Sequence, residues 1–275
     1  MLKCLAQRNF PLEQLTLLAS ERSAGRKLTF RDQEIEVQKL GHDSFEGVDI
    51  ALFSAGGSLS LEFGPSAAAA GAVVIDNSSA FRMDPEVPLV VPEVNPDAAE
   101  SRPKGVIANP NCTTIITMMG LNPLHRKFGL KSIIASSYQA VSGSGQAGIL
   151  ELSNQVRALS EGRSDFERTV YPHQIAFNVI PHVDQFMEGG YTKEELKMLN
   201  ESRKILELPD LKVSCTCVRV PVYRSHAVSV TAQFANPISV EEARLAFEGY
   251  PGIRVVDDPG QSLYPTPLDT TEKDD

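Results

Sequence analysis

Gly105-Val106-Ile107-Ala108-Asn109-Pro110-Asn111-Cys112-Thr113-Thr114 joins two patterns. The apolar run from Gly105 to Ala108 reads as a strand, and Pro110 biases Asn109 towards extended backbone, so the strand ends there. Ile115, Ile116, Met118, Met119 and Leu121 then recur at helical spacing. Cys112 therefore falls at the mouth of a helix, where free N–H groups and the positive end of the dipole are expected to stabilise a thiolate, the nucleophilic form of cysteine. Spacing alone leaves a second reading open, a small buried cysteine filling a strand-to-helix corner.

Upstream, Met1 to Gln7 reads as a helix already in progress, Leu12 to Ala19 as a short strand and Val48 to Ser54 as another. Leu59 to Ala70 is a small-residue helix stopped by Gly71, and Ala72 to Asp76 the next strand. Helices alternating with wholly apolar strands indicate a parallel sheet covered on both faces, the rhythm of a dinucleotide domain. Such a domain carries a glycine-rich turn after its first strand, and none stands in that place here. At the end of the next strand, an acid selects an unphosphorylated ribose whereas Arg and Ser suit a 2′-phosphate. Ser20, Arg22 and Ser23 occupy that place with Glu21 among them, which favours NADP over NAD; a solvated turn with incidental charges is the plainer alternative.

Downstream, Lys131 to Val141 reads as a strand, Ser142 to Gly148 as a flexible turn whose glycines permit close backbone approach to a ligand, and Ile149 to Ser160 as a helix. Glu161 to Glu167 reads as exposed loop. Thr192-Lys193-Glu194-Glu195 is a capping box for a helix to about Leu206, and Ser239-Val240-Glu241-Glu242 caps another. Val213 to Tyr223 and Ala227 to Phe234 alternate like antiparallel strands, with Arg219 on the face of Cys215 and Cys217; Arg254 to Asp258 reads as a further strand. The expected fold is α/β: an incomplete Rossmann-like parallel-sheet cofactor domain over 1–110, and an α+β catalytic and dimerisation domain with a mixed sheet over 111–275.

The 275 residues leave room for two domains. A net charge of -9 spread along the chain argues against nucleic acid or a membrane surface as partner. The four cysteines, at 4, 112, 215 and 217, have no metal-type spacing, and a reduced, cytoplasmic compartment fits them best.

Asn109-Pro110-Asn111-Cys112-Thr113-Thr114 and Ser137-Tyr138-Gln139-Ala140-Val141-Ser142-Gly143-Ser144-Gly145 resemble the two signature stretches of bacterial aspartate-semialdehyde dehydrogenases. So do Ala176 to His182, Thr192 to Lys197, and Arg219-Val220-Pro221-Val222 followed by Ser225-His226. The resemblance implies NADP-dependent reductive dephosphorylation of L-aspartyl-4-phosphate to L-aspartate 4-semialdehyde, in biosynthesis of lysine and diaminopimelate, threonine and methionine. It implies Cys112 as the acyl-accepting nucleophile, His226 as general acid/base and Gln139 as the group orienting the acyl carbon or the thiol. Arg219 would grip the substrate carboxylate and Glu194 the amino group; Arg82, Asn111 and Lys197 would form the phosphate pocket. Ser142 and Gly143 would join Ser20, Arg22 and Ser23 in binding the cofactor.

The family works as homodimers or homotetramers. It also has a strand and glycine-rich turn before the position of Met1 and a return helix after that of Asp275, so weak NADP binding is expected of the chain as it stands. N-acetyl-γ-glutamyl-phosphate reductases, whose cysteine motif has Gly in place of Asn111, are the alternative family. Readings of other classes are a Cys112–His226 hydrolase or acyltransferase without nucleotide, and a silent fragment that only dimerises.

Overall fold

In the computed structural model, which describes residues 1–273, the chain forms two compact units. Met1–Phe81 and Arg102–Ile107 make the first; Arg82–Ser101 and the chain from Ala108 onward make the second.

The first unit begins with α1 (Leu2–Gln7) and β1 (Leu17–Ala19), followed by β2 (Lys27–Phe30) and β3 (Gln33–Lys39). The expected strand from Leu12 is shorter because its parallel partner, β3, meets it only from Leu17↔Val37 to Ala19↔Lys39. The other end of β3 is taken by β2, in an antiparallel hairpin from Lys27↔Glu36 to Phe30↔Gln33. No strand was expected there. The two-residue turn, Arg31-Asp32, has both residues at positive φ (45° and 65°), the conformation that normally advertises itself with Asn-Gly.

β4 (Ile50–Phe53), α2 (Gly57–Ala69) and β5 (Val73–Asp76) supply the expected βαβ unit, and the strand order continues to β6 (Val106–Ala108). β4 and β5 run parallel, Ile50↔Val73 to Phe53↔Asp76. Asp76 ends β5 fully buried, and its carboxylate accepts from the Ser60 hydroxyl (2.7 Å) and from the Ser78 hydroxyl (2.7 Å) and N–H (3.0 Å). Those donors replace the water that a buried carboxylate loses.

In the second unit α3 (Cys112–Phe128) ends at Gly129, whose φ of 71° breaks the helix. β7 (Leu130–Gln139), α4 (Gly145–Ser160), α5 (Lys193–Ile205), β8 (Lys212–Arg219), β9 (Ala227–Phe234), α6 (Val240–Phe247) and α7 (Pro267–Thr270) follow. Both capping boxes form, at Thr192/Glu195 and Ser239/Glu242. The turn expected over Ser142–Gly148 is instead a 3-10 turn (Val141–Ser144) running straight into α4. Gly148 lies inside that helix, where a Cβ would come within 2.5 Å of the Tyr171 hydroxyl and 2.6 Å of the Val141 carbonyl oxygen. Its smallness serves packing.

The sheet is mixed, in the order β8-β7-β9. β8 and β9 do not pair as an antiparallel hairpin; β7 lies between them, parallel to β8 from Ser132↔Lys212 to Gln139↔Arg219 and antiparallel to β9. One face buries Ile133, Ala135, Ser137 and Gln139 beside Cys215, Cys217 and Arg219. The other leaves Ile134 63 % and Tyr138 44 % exposed. Arg254 to Asp258 is not a strand: only Asp258 makes a bridge, to Leu263, and Val255 stays exposed.

Candidate active site

The Gly105–Thr114 corner is built as its residues suggest. β6 stops at Ala108, and Asn111 becomes the N-cap of α3, its Oδ1 accepting the N–H groups of Thr113 (2.9 Å) and Thr114 (3.2 Å). The Asn111 side chain thus satisfies two of the helix's first free donors, but the expected thiolate is overturned by burial. Cys112 is open at the surface, but the protein mass around its sulfur pushes the thiol above its ordinary value, and the Glu194 carboxylate adds to this. Thr113, with its hydroxyl 4.0 Å from Sγ, and the Arg82 charge pull the other way and are outweighed.

Glu194 is the hub. It is 5 % exposed, and its Oε1 accepts from Asn111 Nδ2 (2.9 Å) and Gln139 Nε2 (3.1 Å), its Oε2 from Lys197 Nζ (2.9 Å). Burial alone would raise its pKa, but the Lys197 ammonium and the two amide donors hold the carboxyl below its usual value. Lys197 also donates to Asp184 (2.7 Å); burial opposes its charge, and the two carboxylates more than restore it. Gln139 additionally donates to Ser137 Oγ (3.2 Å). Asn111, Gln139, Glu194 and Lys197 are thus one buried network around the helix mouth that carries Cys112.

His226 and Arg219 meet at a single residue, Ala140. The Ala140 N–H donates to His226 Nδ1 (3.0 Å), and the Ala140 carbonyl accepts from Arg219 Nη1 (2.9 Å). Burial, then the neighbouring guanidinium, push His226 down to about 4. Near neutral pH the ring is uncharged, and with Nδ1 accepting a hydrogen bond its proton sits on Nε2. Gly143 fits against both groups: a Cβ there would lie 2.8 Å from Arg219 Nη1 and 3.3 Å from His226 Nε2. Arg219 also stands over the Tyr171 ring, 5.9 Å from its centroid. Ser142 is half-buried next to Gly143, and its N–H donates to the Tyr223 carbonyl (3.1 Å).

Arg82 is 8 % exposed, donating from Nε to the Asn109 carbonyl (2.9 Å) and from Nη1 to Glu201 (3.2 Å). Sequence reasoning passed over Glu201, Lys204 and Tyr171. The signal for the first two was present, since Glu194, Lys197, Glu201 and Lys204 recur at helical spacing on one face of α5.

Ser20, Arg22 and Ser23 lie in the first unit, where Ser20 immediately precedes the 3-10 turn Glu21–Ser23 that follows β1. Glu21, which complicated the reading of this turn, pairs with Lys39 (3.1 Å). Two hydroxyls and a guanidinium, with the acid neutralised, form a donor set that suits a phosphate monoester.

The second unit, with a thiol, an imidazole and a buried amide–carboxylate network, has the equipment of a thiol-dependent enzyme. The semialdehyde dehydrogenase NAD binding domain profile matches residues 1–102, and the semialdehyde dehydrogenase dimerisation domain profile matches residues 121–275. The aspartate-semialdehyde dehydrogenase of Aquifex aeolicus (strain VF5) is 52 % identical over 276 residues, covering 100 % of this chain and 81 % of that protein. The crystal structure of aspartate semialdehyde dehydrogenase II from Vibrio cholerae complexed with ASA aligns with a TM-score of 0.89 at 48 % identity, over 92 % of this chain and 75 % of that one. The Candida albicans enzyme with NADP aligns at 0.69 and 26 % identity, over 90 % and 72 %. This chain belongs to the aspartate-semialdehyde dehydrogenase family.

Proposed function

We propose that the chain catalyses NADP-dependent reductive dephosphorylation of L-aspartyl-4-phosphate to L-aspartate 4-semialdehyde. Beyond family membership, the observation that carries this reading is the buried Asn111–Glu194–Gln139 network beneath the Cys112 helix mouth, with the uncharged His226 and Arg219 both bound to the backbone of Ala140. Arg219, anchored through Nη1, offers its other N–H groups to the substrate carboxylate; Glu194 serves the amino group, and Arg82, Asn111 and Lys197 the phosphate. Gln139 orients the acyl group.

Cys112 Sγ attacks the acyl carbon. A C–S bond forms, the C–O bond to phosphate breaks, and the thiol proton departs on the phosphate, which suits a cysteine that begins as a thiol. The nicotinamide, when bound, supplies hydride to the thioester carbonyl. Nε2–H of the uncharged His226 donates to the oxygen as negative charge develops there, a role open to a neutral imidazole. With a proton from solvent the oxygen becomes a hydroxyl. As that hydroxyl gives its proton up, the C–S bond breaks, the aldehyde leaves and the thiol is restored. Ser20, Arg22 and Ser23 would hold the cofactor's 2′-phosphate, and Ser142 and Gly143 would join them in binding it.

The test is phosphate-dependent reduction of NADP by L-aspartate 4-semialdehyde. Activity that requires phosphate and disappears in Cys112→Ser supports the reading; thioester hydrolysis with no need for NADP would replace it with a hydrolase. N-acetylglutamyl semialdehyde as the better substrate would move the chain to the alternative reductase family.

The exposed face of β7, with Ile134 and Tyr138, is assigned to a homodimer, in keeping with the dimerisation-domain match. Sedimentation should show a dimer that Ile134→Glu dissociates, and a monomeric unaltered chain would contradict the assignment. Free cysteines and the absence, among the described residues, of a helix able to cross a membrane accord with a cytoplasmic setting, which fractionation of the source cells would check.

A further inference from the structure

α5 carries Glu194, Lys197, Glu201 and Lys204 at helical spacing, and only the first two face the network described above. Glu201 is 2 % exposed, yet both carboxylate oxygens are engaged: Oε1 accepts from Arg82 Nη1 (3.2 Å) and Oε2 from the Asn111 N–H (2.6 Å). One turn further on, Lys204 Nζ donates to three carbonyls of the Arg82 loop, those of Arg82 (2.8 Å), Asp84 (2.7 Å) and Val87 (2.7 Å). Glu201 therefore ties the Arg82 guanidinium to the residue preceding Cys112, while Lys204 holds the backbone on which Arg82 stands. A surface helix has no use for such an arrangement. Burying a carboxylate and half-burying an ammonium is costly unless every donor and acceptor is placed, and here they are placed on either side of one arginine.

We infer that Glu201 and Lys204 are positioning residues that set the Arg82 guanidinium for the phosphate and lock it to the Asn111–Cys112 corner. The inference rests on the reading of Arg82 as a phosphate-binding residue. Neither residue is assigned a contact with substrate; both hold Arg82, and Glu201 also holds the Asn111 N–H, a bond that the Gln variant below can keep.

Two variants and a cycle test it. In Glu201→Gln the amide oxygen can keep the Asn111 N–H, but its NH2 then turns towards Arg82 Nη1, donor against donor. Lys204→Met keeps the length of the side chain and removes the anchor on the three carbonyls. In phosphate-dependent reduction of NADP, each should raise the KM for phosphate about tenfold and leave the KM for L-aspartate 4-semialdehyde within about twofold, because misplacing one binding group degrades one ligand. A purely structural role would lower Tm and the fraction of active chain without singling out phosphate. The variants are then repeated in an Arg82→Ala background, where residues acting through Arg82 have nothing further to change. If Arg82→Ala raises the phosphate KM while Glu201→Gln and Lys204→Met do not, or if their effects multiply with that of Arg82→Ala, the positioning role is overturned. If Arg82→Ala itself leaves the phosphate KM unchanged, the underlying assignment of Arg82 falls instead.

Discussion

The turn Ser20–Ser23 and the face of α5 are both read as anion-handling regions, and they are built in opposite ways. At the turn, Ser20 and Arg22 are exposed and the one nearby acid is offset by an exposed lysine. On α5, Glu194 and Glu201 are buried, and each side-chain oxygen already holds a partner within the protein. Side chains standing in water select a ligand group and can be exchanged one at a time, as surface pairs contribute little to stability. Side chains in a dry, fully satisfied network cannot be exchanged singly, because each removal strands its partners. Cofactor choice should therefore be separable from stability, and phosphate and acyl handling should not.

The largest effect that would sharpen this contrast is at the hub. Glu194→Ala leaves Lys197, Asn111 and Gln139 without their shared acceptor, and unfolding by urea should show a loss of about 3–5 kcal/mol together with loss of turnover. A variant as stable as the parent would mean that the network is not what holds the corner.

The next effect is a pH dependence. The folded-state pKa of His226 lies near 4, below its ordinary 6.5, so the unfolded chain binds the extra proton and stability falls as pH drops from 6.5 to 4. The contribution is about 3 kcal/mol over that window. Glu194 and Asp184, held below their ordinary carboxylate values, act at lower pH. His125, also held below 6.5 by burial, adds to the fall, and Glu201, raised by burial, opposes it. The share of His226 is therefore read as a difference between the parent and a His226 variant. Replacing His226 by Asn should make the stability profile between pH 6.5 and 4 less steep than the parent's; an unchanged slope would show that the ring is not held neutral.

The smallest effect is at the turn. Arg22→Ala should raise the KM for NADP about tenfold, the worth of one charge-assisted contact to phosphate, with Tm unmoved and NAD use unaffected. A fall in Tm comparable to that of Glu194→Ala would erase the distinction between the two regions.

The strand–helix corner was legible because its residues act locally: Pro110 stops the strand and Asn111 caps the helix. The two capping boxes were legible for the same reason. The β2–β3 hairpin was hidden by Arg31-Asp32, residues that seldom announce positive φ. The position of β7 between β8 and β9 is non-local, and alternation within a strand carries no information about which neighbour it takes. The protonated state of Cys112 was misread because a helix dipole can be argued from sequence, while burial and the Glu194 charge can only be seen folded. Glu201 and Lys204 do not stand out in the sequence, because charged residues on a helix ordinarily face water.

The central claim is that Cys112, starting as a thiol in this network, accepts the acyl group. Incubating the chain with L-aspartyl-4-phosphate in the absence of cofactor tests it without relying on the first unit. The account predicts a stoichiometric burst of phosphate and an aspartyl thioester on the Cys112 peptide by mass spectrometry, both absent from Cys112→Ser. A burst that survives in Cys112→Ser, or an aspartyl group found on another residue, would contradict it.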